Sequence, residues 1–450
     1  MTKRRPRVLI LADSANPESS SVSLIGWSLS QALRRHADVH LVTKSVNAEA
    51  IERQGWKQGV DFTPIDPSAV ERPIASAART IQRWTGLGWT FTTALSAITY
   101  PNFERLAWRQ FGPAIRRGEF DLVHRVVPMS PTTPSPMAAW CRAVGVPFVL
   151  GPINGGVPWP REFRAAQHRE GEWLSYLRAA HALVPGYRAT RRGAAAIIAG
   201  SFHTHSEFVA WPDKLFYLPE NAIDPNRVRG RRQARTGVPL RVAFVGRLVP
   251  YKGADMLLEA ASPLAREGKL VLDVIGDGPE RSNLERLIEK EGIAPFVQLA
   301  GWIADQRQVA PRLAQSDVFA FPSIREFGGG AVLEAMALGL TPVVVDYAGP
   351  AELVTDGTGF KVPLGTREEV VAGFRRILSM LVERRDVVEA VGERAHERAF
   401  RYFTWDAKSD QIVRIYDWVL GRGSKPDFGM PIGIGPQEPP VVERASRAAP

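Results

Sequence analysis

Short apolar runs alternate with longer stretches of helical periodicity along two successive halves of the 450-residue chain. In the first half the predicted strands are Arg7–Ala12, Val39–Val42, Leu122–His124, Phe148–Leu150 and Ala195–Ala199. In the second half they are Arg241–Gly246, Leu270–Ile275, Val297–Ala300, Val318–Phe321 and Pro342–Val345. Strands that alternate with helices form parallel sheets with right-handed crossovers. The pattern therefore predicts an α/β chain of two Rossmann-like, doubly wound domains that face a central cleft.

Helical periodicity fills the intervals between these strands. The predicted helices are Leu24–Arg35, Ala254–Arg266, Glu280–Glu291, Gln306–Gln315, Ala331–Gly339 and Glu368–Glu383. We expect a first domain over residues 1–221, a linker rich in Arg, Gly and Pro over 222–239, and a second domain over 240–404. A helix over 405–420, which is free to pack back toward the first domain, precedes a tail over 421–450 that we expect to be disordered.

Positive charge is concentrated in the first half of the chain. Residues 1–240 contain 31 Lys and Arg against 18 Asp and Glu, whereas residues 241–450 contain 26 against 29. A basic half suits an anionic membrane surface or a phosphorylated substrate. No zinc-finger spacing and no RNA-binding aromatic motif accompanies this charge, so we expect no nucleic-acid partner.

The compartment is predicted from three features of the sequence. The first basic residues lead only into the short apolar run of Val8 to Ala12, which is unlike a signal peptide. No stretch reaches the roughly 18 to 20 apolar residues that a membrane-spanning helix needs. Cys141 is the only cysteine, so no intrachain disulfide forms. We expect a cytoplasmic protein, with peripheral attachment to the inner face of the membrane as the alternative.

The most informative motif follows the predicted strand Val318–Phe321. It consists of Glu326, Phe327, Gly328, Gly329 and Gly330, directly before a predicted helix. Glycines let backbone N–H groups approach a ligand, and a helix N-terminus carries about half a positive charge, so a phosphate is the expected ligand. Glu334 lies about one turn into the helix, within reach of vicinal hydroxyls on that ligand.

Two further loops in the second half carry candidate ligand-binding residues. Arg247 and Lys252 share the loop after Arg241–Gly246, where Arg is suited to clamp phosphate oxygens and Lys adds a compact charge. Gly276 and Gly278 follow Leu270–Ile275. These glycines predict either a turn that lets a base or phosphate approach the backbone, or a purely structural turn.

Together these motifs resemble family 4 of the retaining glycosyltransferases, which have the GT-B fold. The resemblance covers most of residues 6–420 and lies in Gly246-Arg247 with Lys252-Gly253, Gly276-Asp277-Gly278-Pro279, Glu326 with Glu334 seven residues further on, and Glu220-Asn221-Ala222-Ile223-Asp224. It implies that the first domain binds the acceptor and the second binds a nucleotide-sugar.

The resemblance also implies individual roles. Arg247 and Lys252 would hold the donor diphosphate. Glu326 would contact the donor sugar, and Glu334 the ribose hydroxyls. Gly276 and Ile303 would lie along the base pocket.

Three residues in the first half are candidates for substrate contacts. His124 ends a predicted strand, so we expect its ring near the cleft, where it would bond a donor-sugar hydroxyl or a developing charge. A satisfied histidine at a strand end is the alternative. Asn154 lies in a glycine-containing loop after a strand, which is either a flexible or ligand-approaching loop or a structural turn. Ser21 lies in a run of serines whose hydroxyls are available to an acceptor.

Arginine and aromatic residues are mixed over residues 72–118 and 159–192. Examples are Arg79, Arg83, Trp84, Trp89, Phe91, Trp108, Arg109, Arg116 and Arg117. This composition suits an interfacial membrane contact or a lipid-linked acceptor. Solvated helix faces with buried aromatic side chains are the alternative.

The main hypothesis is a glycosyltransferase that moves a sugar from a UDP- or GDP-sugar to a glycan, lipid-linked or small-molecule acceptor. Arg247, Lys252 and the helix N-terminus are suited to offset the charge of the leaving group. No Asp-x-Asp occurs in the chain, so we expect neither a metal ion nor a cofactor. Retention of anomeric configuration is implied by the resemblance. The alternatives are another GT-B enzyme acting on nucleotide-sugars, such as a phosphorylase or epimerase, and a non-catalytic scaffold.

Overall fold

The computed structural model describes residues 4–74, 89–169, 184–235, 237 and 239–429 of the chain. Two parallel sheets with helices packed against them dominate these residues. The predicted α/β architecture with two Rossmann-like sheets is therefore confirmed.

The first sheet has seven strands in the order β3-β2-β1-β4-β5-β6-β7, and all its paired strands are parallel. The strands are β1 (Arg7–Ala12), β2 (Asp38–Lys44), β3 (Phe62–Ile65), β4 (Leu122–Val127), β5 (Phe148–Ile153), β6 (Ala196–Ala199) and β7 (Leu215–Tyr217). The central strands are buried almost without interruption, as expected for a parallel sheet covered on both faces.

The second sheet has six strands in the order β10-β9-β8-β11-β12-β13, again with parallel pairing throughout. The strands are β8 (Leu240–Val245), β9 (Leu270–Ile275), β10 (Val297–Gly301), β11 (Val318–Phe321), β12 (Thr341–Val345) and β13 (Phe360–Val362). The chain order reverses between β8 and β11, so the loops after these two strands meet at the point where such sheets bind ligands.

Most of the helices connect successive strands, and the last three follow the last strand. Those of the first half are α1 (Ser21–Leu33), α2 (Ala48–Glu52), α3 (Trp89–Arg116), α4 (Pro136–Ala143), α5 (Arg164–Arg169), α6 (Tyr187–Gly193) and α7 (Phe202–Ser206). Those of the second half are α8 (Ala254–Arg266), α9 (Arg281–Glu291), α10 (Val309–Leu313), α11 (Gly330–Ala337), α12 (Ala348–Leu353), α13 (Arg367–Glu383), α14 (Arg385–Tyr402) and α15 (Trp405–Val419). In the described ranges no helix combines the length and the apolar character that crossing a bilayer requires.

Three strands and eight helices were not among the predicted elements, and the helices are α2, α3, α4, α5, α6, α7, α12 and α14. The strands β3, β7 and β13 have only three or four residues and lie at sheet edges, so they carry too little periodicity to be recognised. Helix α14 was missed because much of its buried face is made of small residues, such as Ala395 and Ala399, among many charges. A strand of three or four residues, or a helix whose buried face is made of small residues, is recognisable only when the surface it packs against is known.

The last helix, α15, packs on α1 in the first half of the chain. Its residues Ile412, Ile415 and Tyr416 are fully buried in the same apolar cluster as Trp27. Beyond it, residues 421–429 contain no helix or strand, and residues 430–450 of the predicted tail lie outside the described residues. The chain thus returns to the first sheet after completing the second.

We expect Ile412→Ala to lower the free energy of unfolding by about 2–5 kcal/mol, because it leaves a cavity in the packed contact between α15 and α1. Urea denaturation followed by tryptophan fluorescence measures the loss. The exposed Asp410 on the same helix is the matched control, and Asp410→Ala is expected to change stability by less than about 0.5 kcal/mol. Equal effects of the two substitutions would contradict the docking of this helix.

Candidate active site

Three loops of the second half meet at one edge of the sheet because β9, β8 and β11 are neighbours. The loop after β8 carries Arg247 and Lys252, the loop after β9 carries Gly276, and the loop after β11 carries Glu326. The carboxyl ends of adjacent parallel strands lie at the same edge of a sheet. The strand order therefore brings these four predicted site residues to one edge.

The loops after β8 and β9 are joined through their backbones. The Gly246 N–H donates to the Ile275 carbonyl at 3.0 Å, and the Leu248 N–H donates to the Asp277 carbonyl at 2.9 Å. Gly276 has a φ of +141°, and a Cβ atom there would lie 1.9 Å from the Gly246 oxygen. Only glycine fits this position, so close packing of two loops explains Gly276, and its contact with a base stays a prediction.

Lys252 and Glu326 form an ion pair between the loops that follow β8 and β11. Their side chains are 16% and 20% exposed, so water still reaches the pair. The ammonium nitrogen also lies 5.0 Å from the centre of the Phe321 ring. Burial lowers the pKa of Lys252 to about 8. The site therefore holds a poorly solvated cation that an incoming anion can stabilise.

Arg247 is exposed at the same edge of the sheet. In the part of the chain that the structure describes, no acidic side chain forms an ion pair with its guanidinium group. Guanidinium groups bind phosphate oxygens in bidentate geometry. Arg247 is thus available to a phosphate ligand in a way that Lys252, already paired with Glu326, is not.

The glycine loop leads into helix α11. Gly329 has a φ of +64° and precedes the first helical residue, Gly330, whose N–H has no acceptor within the helix. Glu334 lies on the same helix with an exposed side chain. Desolvation nevertheless raises the pKa of the Glu334 carboxyl, and the charge of Arg227 opposes this shift. A side chain that is open to solvent yet surrounded by enough protein to be desolvated is typical of a cleft, so Glu334 lies in a cleft.

Phe327 and Gly328 in this loop contact the other half of the chain. The Phe327 carbonyl accepts a hydrogen bond from the Asn154 side-chain amide at 3.2 Å. A Cβ atom on Gly328 would lie 2.0 Å from Glu220 Oε1. Gly328 therefore lets the loop lie against Glu220 and Asn154, and this contact alone would require glycine.

Ile303 is half-buried and lines a cavity of about 650 Å³ with residues of β9, β10 and α10. This cavity also includes Arg241, near the amino end of β8, so it lies outside the group of loops that carries Lys252 and Glu326. The Gly276 N–H donates to the Gly301 carbonyl at 2.9 Å, which brings the neighbouring segment near the loop after β9. The contact of Ile303 with a base stays a prediction.

His124 does not join the cleft residues, contrary to the expectation from its place at a strand end. It is fully buried, and burial lowers its pKa to about 4. Nε2 lies 2.5 Å from the Gly151 carbonyl, so it carries the proton, and Nδ1 accepts from the Tyr416 hydroxyl at 2.5 Å. The described geometry matches the alternative, a satisfied neutral histidine, and its bond to Tyr416 joins β4 to α15.

Asn154 is buried and already fully bonded. Its amide also donates to Glu220 Oε1 at 2.8 Å, and its oxygen accepts from the Ser201 hydroxyl at 2.7 Å. Ser21, in contrast, is exposed at the first turn of α1 with a φ of +56°. Of the two predicted acceptor-side residues, only Ser21 is therefore accessible to a ligand in this conformation.

A buried group of polar residues between the two halves was missed by the sequence analysis. Glu352 on α12 accepts hydrogen bonds from the Phe202 N–H and the Tyr217 hydroxyl, both at 2.9 Å. Burial raises the pKa of Glu352 to about 8 and also raises that of Glu220. Glu220 lies in a motif that the sequence did single out, whereas no local pattern distinguishes Glu352 from a surface glutamate.

Among the described residues, no three His, Cys, Asp or Glu side chains converge in a way that could hold a metal ion. The predicted independence of metal and cofactor stays a prediction.

Solved structures share this two-sheet architecture over nearly the whole chain. HepE from Anabaena, solved with UDP, superposes with a TM-score of 0.58 over 92% of this chain and 100% of its own, at 18% identity. The lipopolysaccharide outer core galactosyltransferase WaaB superposes with a TM-score of 0.58 over 91% of this chain and 99% of its own, at 14% identity. The two facing sheets are the GT-B fold, as the sequence analysis predicted.

Comparison of sequences finds a family match for the second half of the chain. Residues 231–394 match the family model described as glycosyl transferases group 1. The matched residues include the loops that carry Lys252, Gly276 and Glu326.

Curated relatives match the chain over about half of their own length. The lipopolysaccharide core biosynthesis glycosyltransferase LpsE of Rhizobium meliloti is 34% identical over 175 residues, which is 39% of this chain and 48% of LpsE. The α-D-kanosaminyltransferase of Streptomyces kanamyceticus is 30% identical over 210 residues, which is 45% of this chain and 53% of that enzyme.

The low pKa of Lys252 predicts that the binding of a diphosphate beside it depends on pH. Because an amine with a pKa of about 8 is charged below that pH and neutral above it, we expect the affinity for UDP or GDP to fall as pH rises from 7 to 9. One pH unit above the pKa, about a tenth of the ammonium remains charged. Calorimetric titration measures the profile, and Lys252→Arg should flatten it because arginine stays charged. A profile for the wild type as flat as that of Lys252→Arg would contradict the assignment.

Proposed function

We propose that the protein is a retaining, metal-independent glycosyltransferase that moves a sugar from a UDP- or GDP-sugar to a glycan, lipid-linked or small-molecule acceptor. The observation that carries the proposal is the meeting of Arg247, the Lys252–Glu326 pair and the start of α11 at one edge of the second sheet. Two cations, a helix N-terminus and accessible carboxylates suit a ligand that combines a diphosphate with hydroxyl-bearing sugars.

The proposed chemistry depends on stabilising the leaving group. Cleavage of the bond between the sugar and the diphosphate leaves negative charge on the phosphate oxygens. Arg247, Lys252 and the N–H groups at the start of α11 offset this charge, and the loss of one such donor typically costs about 100- to 1,000-fold in rate. A resident metal ion is not needed for this step when fixed cations occupy the same place.

The two glutamates take separate roles in this proposal. Glu326 exchanges part of its bond with Lys252 for a hydroxyl of the donor sugar, while the diphosphate takes up the charge of Lys252. Glu334, further along α11 and open to solvent, accepts hydrogen bonds from the ribose hydroxyls. Retention of configuration rests on the resemblance of these motifs to family 4 enzymes.

The donor class is supported by a structural relative and the acceptor class by curated ones. HepE, which shares the fold, has been solved with UDP and with UDP-glucose. LpsE is named for lipopolysaccharide core biosynthesis, which suits a glycan or lipid-linked acceptor here.

Attachment to the inner face of a membrane belongs to the same proposal. Its support is the mixture of arginine and aromatic residues, in which Arg116 stacks on Trp108 at 5.1 Å. Arg79 and Arg83 lie outside the described residues.

Two other functions would use the same fold. A phosphorylase or epimerase acting on a nucleotide-sugar would release sugar phosphate or an isomerised donor, whereas a transferase yields a new glycoside and a free nucleotide. A scaffold would bind partners without turnover and would not need Arg247, Lys252, Glu326 and Glu334 together. Product analysis by mass spectrometry separates the three functions.

We expect Lys252→Ala and Arg247→Ala each to lower turnover with the preferred nucleotide-sugar by at least about tenfold, because each removes a cation from the leaving group. A panel of nucleotide-sugars screened by thermal shift identifies the donor, and release of the free nucleotide then measures turnover. Unchanged unfolding temperatures of both variants show that the fold is intact. Activity near the wild-type level in both would remove the basis for the proposed donor site.

Activity should also survive chelation of divalent metals. The fixed cations at the site supply the charge that a metal ion otherwise provides, so we expect less than about a twofold change in turnover in excess EDTA. The comparison uses the same nucleotide-release assay with and without added Mg²⁺ or Mn²⁺. Strict dependence on either ion would contradict this part of the proposal.

A further inference from the structure

Residues 154–163, which follow β5 of the first sheet, extend to the second half of the chain. We call them the strap. At one end, two hydrogen bonds fix Asn154 in the first half. Its side-chain oxygen accepts from the Ser201 hydroxyl at 2.7 Å, and its backbone N–H donates to the Met129 carbonyl at 2.8 Å. At the other end, Phe163 is buried in the apolar core of the second half. The strap therefore links the two cores directly.

The strap contacts the loop that carries Glu326. Arg325, the residue before Glu326, is buried and donates from Nε to the Val157 carbonyl at 3.2 Å. On the other side of Glu326, the Phe327 carbonyl accepts from Asn154 at 3.2 Å. The strap thus holds the backbone on both sides of this carboxylate.

The strap also contacts the loop that carries Lys252. The Trp159 ring lies edge-on to the ring of Tyr251, the residue before Lys252, with centres 5.9 Å apart. The guanidinium carbon of Arg325 lies 5.0 Å from the Trp159 ring. Trp159 therefore touches the residues that directly precede both members of the ion pair.

A third contact comes from the loop after β12. The Tyr347 hydroxyl donates to the Pro158 carbonyl at 2.9 Å, so the strap contacts three loops of the second sheet, those after β8, β11 and β12. Contacts from two sides restrict both its position and its rotation. The strap therefore connects the core of the first half to the loops of the second half and restricts the positions of those loops.

We propose that Trp159 and Asn154 are positioning residues, which hold Lys252 and Glu326 in the geometry that stabilises the leaving diphosphate in the transition state. The proposal rests on the proposed function, because it assigns the strap to the same donor site. Neither residue needs to touch the donor. An error of about 1 Å in the placement of such groups can cost roughly 100-fold in rate, so a lost strap contact is expected to appear in catalysis.

The test uses Trp159→Ala with two companions in the full-length chain. Trp159→Phe keeps an aromatic ring against Tyr251 and should restore activity. Trp211→Ala is the matched control: Trp211 is also half-buried in the first half, but it precedes β7 and so lies on the amino-end side of the sheet, opposite the loops that follow the strands. Tyr347→Phe removes a single hydroxyl, so it remains informative should Trp159→Ala fail to fold.

Two measurements separate positioning from general stability. The first is kcat and KM for the donor: Trp159→Ala should lower kcat by at least about tenfold while KM changes by less than about threefold, and Tyr347→Phe should lower kcat by about threefold. The second is competitive acetylation of Lys252 followed by mass spectrometry, which needs no donor. Trp159 packs on Tyr251 beside Lys252, so its loss is expected to open this loop to water and to move the titration midpoint of the amine upward from about 8.

The outcomes distinguish this proposal from the proposed function. A shifted Lys252 midpoint in Trp159→Ala, unshifted in Trp211→Ala, supports the strap even if no nucleotide-sugar is turned over, and in that case only the proposed function fails. An unchanged midpoint in Trp159→Ala and in Tyr347→Phe overturns the strap. A normal kcat in an active Trp159→Ala enzyme also overturns it, as does a loss in Trp211→Ala as large as that in Trp159→Ala.

Discussion

The ion pair between Lys252 and Glu326 is the interaction on which the candidate site of the second half depends. It joins loops that leave the neighbouring strands β8 and β11, at the point where the strand order of the sheet reverses. Burial disfavours the charged amine, and a carboxylate within reach offsets part of that cost. An ion pair that solvent can still reach is suited to open and re-form around a ligand that carries both charge and hydroxyl groups.

Backbone packing sets the positions of the loops around this pair. Gly276 lies against the Gly246 carbonyl, and Gly328 lies against Glu220, each so closely that a side chain would collide. Glycines that were expected to make room for a ligand therefore also make room for the protein itself. Both demands favour the same residue, which is why composition alone could not separate them.

The two halves meet through buried polar groups in addition to apolar contacts. Glu352 accepts hydrogen bonds from Phe202 and Tyr217 in the first half, and Asn154 bonds both Glu220 and the Phe327 carbonyl. Burial lowers the pKa of nearby Lys408 to about 7 and raises that of Glu352 to about 8. Such contacts stabilise one relative placement of the sheets, since each buried polar group is costly when its partner is removed.

The sequence by itself determined the α/β class, the two doubly wound sheets, the loops that carry Arg247, Lys252 and Glu326, and the helix that carries Glu334. These features depend on local periodicity and on the rule that ligands bind after parallel strands, so they can be recognised along the chain. Tertiary structure alone decided that His124 is bonded to Tyr416 of the C-terminal helix α15 and that Asn154 holds the glycine loop. It also decided the short edge strands and the alanine-lined helix α14. Those properties depend on which distant groups come together, and contacts between residues as far apart as 124 and 416 leave no local pattern in the sequence.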